Sequence, residues 1–596
     1  MKFSRYLITV AAFFALFSET RAVDVTKCQY DLACTGANTA ETVLTPNNVN
    51  AATFGKLFTK SVDGQVYAQP LYLQNFIIGG GVHNVVFICT EHNSIYAFDA
   101  DNAGAAAFWH RTLPTPVTSV FSCQDLVPEV GITATPVIDR TTGALYVESS
   151  SLESGTYYNK LYAVNLANGN DLVSPVAISA SVTGSGSGST GGKINFDSFL
   201  DFCRPGLLLL NGKIYLGFGS HCDDGNYHGW LIAYNANNLG QFAVRCLTPN
   251  GSQGAIWQHG GGLSSDGTNI FCVTGNGSYS ASDSSYGESA VKFDGNLKFM
   301  SSFTPYNYVS LNGNDNDLCS SCMLIPGSTV CTMQGKAGAI YVMNQTDLGG
   351  FNSSSDNIVQ RIDNGFASDG SGGNPVSVYW NNLFYLWAGF DYLRAYSFNG
   401  SKLGTTEQSS YAINQIEHAG SISVSADGVT NGILWGTNVG TGHFYAFDAA
   451  KVSTMLWNDG QAANSRDALG SGVQKYARPT VVNGKVYLGT VNSMVVYGLL
   501  NPIGIRERAA GRSFSESVRV VGKNKLVLVL PGEGEYSLSL IDMRGRTRAL
   551  ANGFTSGKRI ELDLSPYGLT PGAYCAMIKL SSGRPFIATV VLELGK

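Results

Sequence analysis

The sequence predicts an all-β protein: an eight-bladed β-propeller followed by a small C-terminal β-sandwich. Three observations predict it. Only 14% of the 596 residues are charged, while Gly numbers 70 and Tyr and Phe number 29 and 30, a turn-rich β composition. No stretch sustains a 3.6-residue period. A unit built on one strand pattern recurs from residue 45 to residue 500, and fixed-period repeats of this length mark propellers.

Residues 1–22 read as a signal peptide. Lys2 and Arg5 supply the positive start, Leu7 to Phe17 the apolar stretch, and Thr20-Arg21-Ala22 the small residues of a cleavage site. The apolar run is too short for a permanent span, and no later stretch reaches about 18 apolar residues. The net charge of −5 is thinly spread. With no basic stripe to track a phosphate backbone, nucleic acid is not an expected partner.

Residues 23–500 form the propeller. The third strand of each unit is the clearest signal, with the form apolar-Tyr-Ala-aromatic-Asp/Asn. It appears at Ile95–Asp99, Leu161–Asn165, Leu231–Asn235, Ile340–Asn344, Leu393–Ser397 and Phe444–Asp448, and in degenerate form at Met494–Gly498. Inner strands begin at Gln69-Pro70, Thr135-Pro136, Arg204-Pro205, Gly261-Gly262, Cys322-Met323, Asn374-Pro375, Gly420-Ser421 and Arg478-Pro479. Proline fits there because the innermost strand is an edge strand beside a central channel. Eight units of about 57 residues are long for blades, and the excess lies in loops such as the Gly184–Gly192 tract, which reads as flexible. The eighth unit ends one strand short. Phe54–Phe58 is expected to supply the missing strand and close the ring.

Residues 501–516 read as a linker, and residues 517–596 show alternating strands at Lys525–Val529, Tyr536–Leu540 and Ile587–Val591 that suit a sandwich. All 12 cysteines follow the signal peptide, in a compartment that permits disulfides. Cys28 and Cys34 are near enough in sequence to bridge, Cys123, Cys203 and Cys222 could meet in space, and Cys319 and Cys322 read as a local disulfide or two packed thiols.

Inner-strand starts and adjoining loops face the channel mouth, where propellers bind ligands. This places Gln69, Glu129, Arg204, His221, Asp223, His228, His259, Asp315 and Arg478 there. Glu129 and Asp315 are the candidates for a general base or Ca²⁺ ligand, with capping or ion pairing the commoner role. Arg204 and Arg478 would clamp an anion or tie neighbouring blades. His221, Asp223 and His228 match no standard metal spacing, so loop-fixing hydrogen bonds are expected and no metal site is assigned. The Gly260–Gly262 run has no helix after it and reads as close packing near the axis, not a phosphate loop.

Two resemblances add to this reading. Asp63–Leu71, Thr90–Tyr96, Val127–Ile132, Gly219–Asp223 with Tyr227–Trp230, and Asn314–Leu318 make residues 25–500 resemble the quinoprotein-like, or pyrroloquinoline quinone repeat, propellers of secreted bacterial proteins. Rings of this sort serve as dehydrogenases and as binding or assembly scaffolds. The resemblance implies pyrroloquinoline quinone with Ca²⁺ as cofactor if the chain is a dehydrogenase of an alcohol or sugar, but the adjacent cysteine pair that faces the quinone in those enzymes is missing. The tail resembles the sorting domain of the type IX secretion pathway through Ile541–Arg546, Leu569–Tyr574 and the final apolar strand. That implies export through the periplasm to the cell surface or medium, with the secretion machinery as a partner. The expected function is binding of a small-molecule, saccharide or protein ligand at the channel mouth. Quinone-dependent dehydrogenation and a polysaccharide-binding or adhesive role are the alternatives.

Overall fold

The computed structural model describes residues 23–118, 124–258, 260–367, 376–416, 418 and 420–500, and the strands between 518 and 592. Contacts divide the chain into two compact units, residues 1–501 and 502–596.

The first unit is a ring of eight antiparallel sheets. Blade 1 has inner strand Leu71–Ile78, then Gly81–Cys89, Ser94–Asp99 and outer strand Trp109–Thr112. The inner strands of blades 2 to 8 are Val137–Asp139, Leu208–Leu210, Ser264–Ser265, Met323–Leu324, Val378–Trp380, Ile422–Asp427 and Thr480–Val482. Each lies within a few residues of its expected start. The Tyr-Ala motif falls on third strands throughout. Its small Ala residues, such as Ala97, Ala163 and Ala233, are buried between blades. Blade 4 departs from the motif. Its third strand is Ser289–Phe293, where Ser-Ala-Val-Lys-Phe keeps the alternation without the tyrosine.

Phe54–Ser61 pairs antiparallel with Ser493–Leu499, Phe54 opposite Leu499, and completes blade 8. The ring therefore closes by joining its two ends, as expected. Phe54 stacks among Trp435, Trp457 and Tyr497, with centroids 5.0–6.4 Å away. The closure is an aromatic core as well as a ladder.

Residues 25–38 run inside the ring, an arrangement the repeat pattern does not announce. Inner-strand N–H groups donate to their carbonyls: Tyr72 to Val25, Ile138 to Thr26, Ser265 to Leu32, Leu324 to Ala33, Tyr379 to Thr35 and Val424 to Gly36, all within 2.7–3.0 Å. Ala37–Asn38 then lies parallel to blade 7 beside Val424 and Ser425, and the Asn38 amide donates to Val481 O of blade 8 at 2.8 Å. In blade 3, a Cβ on Gly206 would lie 2.5 Å from Cys28 Cβ, so only glycine admits the segment there. The physical cause is the edge character of inner strands, whose unpaired donors must find acceptors away from water.

This inner segment, the plug, overturns one expectation, and contacts distant in sequence overturn another. Cys28 and Cys34 do not bridge; both are free, buried thiols. Lys27 Nζ lies 3.5 Å from Cys34 Sγ, and Cys34 donates to carbonyls of Gly262 and Leu263. The Gly184–Gly192 tract is also not loose. Gly186 and Ser187 donate to Pro249 O and Gly251 O at 3.0 and 2.8 Å, between the paired strands Ser181–Thr183 and Lys193–Asn195. Its glycines are there for close approach: a Cβ on Gly184 would lie 2.1 Å from Pro249 O. Cys203, Cys319 and Cys322 are free and buried, so the last two are packed thiols. Cys222 is disulfide-bonded, and Cys123 lies outside the described residues.

In the second unit, Val518–Val521, Lys525–Val529 and Arg559–Asp563 form one antiparallel sheet. Thr547–Ser556, Glu533–Asp542, Gly572–Leu580 and Phe586–Leu592 form the other, and Leu538 on its central strand is fully buried. Residues 543–546 and 564–571, which carry part of the sorting-domain resemblance, lie outside the described residues, as do residues 1–22 and 501–517.

Candidate functional site at the channel mouth

Above the plug, the segments that precede inner strands converge. Asp201–Phe202 pairs with the end of Lys213–Ser220, which sets Arg204 against Ser220 O at 3.0 Å. The Arg204 guanidinium closes on Asp125 and lies over the rings of Phe202 and Trp257, 5.0 and 4.9 Å from their centroids. His221 Nδ1 is 3.3 Å from Asp125, and its ring stacks on Phe202 at 4.3 Å. Burial opposes ionisation of Asp125, but Arg204 and His221 outweigh it and hold the carboxyl well below the usual range.

Tyr67, Asp125, Phe202, Arg204, Lys475 and Tyr476 line a cavity here. It holds about 20 Å³ of space that a water molecule can occupy. That suits a single ordered water and falls far short of the few hundred Å³ of a cofactor site. Tyr476 Oη lies 3.4 Å from His418 Nδ1. Burial and the cations Lys475, Arg204 and Lys336 push His418 down to about 4, so it is neutral at ordinary pH.

A second cluster adjoins through Trp257, whose indole N–H donates to Asp317 at 3.0 Å. Lys336 bridges Asp317 and Asp315 at 2.5 and 3.3 Å. Burial works against its charge, and the two carboxylates outweigh burial to keep it protonated. Tyr227 donates to Asp223. Beside Asp317, Glu288 is fully buried and accepts Leu318 N–H at 3.0 Å; burial first, and then Asp317, push its carboxyl well above the usual carboxylate range.

The nine sequence candidates therefore separate. Arg204 and His221 meet at the mouth, and Asp223 and Asp315 meet in the acidic cluster. Glu129 stands apart, paired with His92 at 2.9 Å on the half-exposed strand Glu129–Val130. His228 is buried between Thr248 Oγ1 and Ser187 O, 2.9 Å from each, and fixes the Gly/Ser loop. Gln69 and Arg478 do not face an open channel. Gln69 accepts Gln29 N–H at 2.9 Å and donates to Thr480 Oγ1 at 3.1 Å. Arg478, 1% exposed, donates to Gly260 O at 3.2 Å and to Ile422 O. The Arg478 guanidinium is thus engaged by backbone carbonyls. His259 lies outside the described residues. The sequence reading missed Asp125, Phe202, Trp257, Lys475 and Tyr476. Phe202, Lys475 and Tyr476 share a usable signal, since each comes two or three residues before the Arg-Pro that opens an inner strand.

With this geometry in place, the class is plain: the chain is an eight-bladed β-propeller. Its structure is similar to quinohemoprotein alcohol dehydrogenase from Comamonas testosteroni, at 12% identity over 80% of each chain with a TM-score of 0.54. It is similar to quinohemoprotein alcohol dehydrogenase ADHIIG from Pseudomonas putida HK5, at 13% identity over 82% of each chain and a TM-score of 0.51. It is also similar to a europium-containing methanol dehydrogenase, at 12% identity over 81% of this chain and 99% of that one, with a TM-score of 0.55. No protein-family model and no curated protein sequence matches the chain. At these identities the likeness shows the fold, and chemistry has to be argued from the site.

Among the described residues, the side chains at the mouth do not fit the quinone with its cation. The cavity is too small, Arg204 lies over the Trp257 ring, and Asp125, Asp315 and Asp317 are engaged by Arg204 and Lys336. Among the described residues, no three His, Cys, Asp or Glu side chains are arranged to hold a metal ion. No helix among them is long and apolar enough to cross a membrane.

Proposed function

We propose that the chain is an exported propeller that binds a small anionic ligand, or an acidic segment of a partner, at the channel mouth without performing redox chemistry. The observation that carries this is the cavity lined by Tyr67, Tyr476, Lys475 and Arg204, with His418 Nδ1 3.4 Å from the Tyr476 hydroxyl. Arg204 and Lys336 are engaged by Asp125 and by Asp315 and Asp317, so Lys475 is the cation offered to the ligand, in a partly desolvated setting where charge-assisted hydrogen bonds to an anion are strongest. The 1–22 leader and the tail that resembles a type IX sorting domain support export through the periplasm to the surface or medium. The dehydrogenase reading has the fold in its favour and the cavity against it.

Thermal melting in the presence of citrate, inorganic phosphate or a poly-glutamate peptide tests the mouth. One of these anions should raise the melting temperature of the wild type and not of Lys475→Ala, since a ligand that binds only the folded state stabilises it by mass action. Pyrroloquinoline quinone with Ca²⁺ should leave the absorbance spectrum of the recovered protein unchanged. Stoichiometric retention of the quinone would replace this reading with the dehydrogenase.

A further inference from the structure

We propose that the rim between blades 4 and 5 carries a second binding site, an aromatic platform that takes a neutral saccharide. It is built from Tyr279, Tyr308 and Phe351. The three rings pack on one another with centroids 5.1–5.4 Å apart and planes inclined at 54–85°. Edge-to-face packing of this kind normally fills a core. Here it lies at the surface: Val309, Tyr306 and Phe351 around it are 67%, 43% and 38% exposed. Large apolar side chains gathered on one rim of an otherwise polar surface mark an interaction site.

The backbone holds the platform ready. The only α-helix among the described residues, Tyr308–Gly313, sits between the outer strand Phe299–Phe303 of blade 4 and the inner strand of blade 5. The connection after Ile340–Asn344 adds itself to the edge of blade 4. Gly350 N–H donates to Ser302 O at 2.7 Å, and Thr304 N–H donates to Gly350 O at 3.2 Å. That ladder sets Phe351 beside Tyr279 and Tyr308. Tyr306 is fixed in turn, its N–H on Asp356 at 2.7 Å and Arg361 5.0 Å beneath its ring. Preorganised aromatic surface lowers the entropy lost on binding.

The chemistry of the surroundings selects the ligand. Residues 305–314 and 350–355 contain no Asp, Glu, Lys or Arg and intersperse Asn and Ser among the aromatic residues, with Asp315 and Asp356 following directly. A pyranose offers a C–H face that lies on an aromatic ring and hydroxyls that amides and hydroxyls can meet. Arg361, the cation beneath the Tyr306 ring, is paired with Asp356 and Asp363, which argues against anionic polymers, whose binding rests on Lys and Arg contacts. The site is separate from the mouth, so its fate leaves the anion reading untouched.

Affinity electrophoresis of the full chain through gels containing laminarin, xylan or hydroxyethyl cellulose, with sedimentation on insoluble chitin and cellulose, tests the proposal. At least one neutral glycan should retain the wild type, and the double variant Tyr308→Ala/Phe351→Ala should lose at least tenfold in affinity. Phe242→Ala, an exposed aromatic on blade 3, should bind as the wild type does. If the double variant does not fold, Val309→Asp places a charge on the exposed rim without touching the ring packing and should weaken retention in the same way. Retention by none of these glycans, equal retention of wild type and variants, or retention only in gels containing heparin would overturn the proposal.

Discussion

The Arg204 guanidinium lies 4.9 Å above the Trp257 ring and is closed on Asp125. An anion clamp and a blade-to-blade tie look alike in sequence, and this arrangement makes Arg204 a tie. Removing one side of a poorly solvated pair strands the other charge, whereas removing both does not. Arg204→Ala should destabilise by on the order of 3 kcal/mol, and Arg204→Met combined with Asp125→Leu should recover most of it. Urea denaturation of the three proteins measures this, and a neutral single variant would contradict the tie.

The same pair sets an acid limit. The folded-state pKa of Asp125 is depressed, so its contribution is fully present above the unfolded value of about 3.9 and is lost as pH falls toward the folded one. Asp125→Asn should be less stable than the wild type at pH 6, and the gap should narrow steadily below pH 4.

Two buried carboxyls act in the opposite direction. Burial raises both Glu91 and Glu148 to about 8. Folding therefore favours their protonated forms. Their stabilisation is complete below the unfolded value of about 4.3 and is lost as pH rises through about 8. Glu91→Gln/Glu148→Gln should melt at the same temperature as the wild type at pH 4 and above it at pH 8.5. Parallel melting curves across that range would show that neither group is protonated in the fold.

The plug should be indispensable. Gln69 takes the Gln29 N–H with one end of its amide and holds Thr480 with the other. Gln69→Leu leaves a buried donor without an acceptor and should cost about 1–3 kcal/mol. Deleting residues 23–62 removes the plug and the closing strand together and should abolish cooperative unfolding. A truncated chain that still melts sharply would mean the blades hold each other without either.

The Gly/Ser loop should resist proteases until its close contacts are broken. A Cβ on Gly184 meets Pro249 O at 2.1 Å, so Gly184→Val should open the 184–192 loop to limited proteolysis while the ring stays folded.

The sequence by itself determined the eight units, their strand order and the closing strand. Those follow from local alternation, from proline at edge strands and from a repeat that is one strand short, all of which are written in short windows. Composition misled where contacts were distant. Gly184–Gly192 has the makeup of a flexible linker, yet Pro249 and Gly251, some 60 residues on, give it its hydrogen bonds. Only the tertiary structure decided that residues 25–38 enter the channel, that Arg478 is spent on carbonyls there, and that Asp125 reaches Arg204. The physical reason is the same in each case. Pairing of buried charges and donors depends on which groups are brought within about 3 Å of one another, and no local pattern records a meeting between residues tens or hundreds of positions apart.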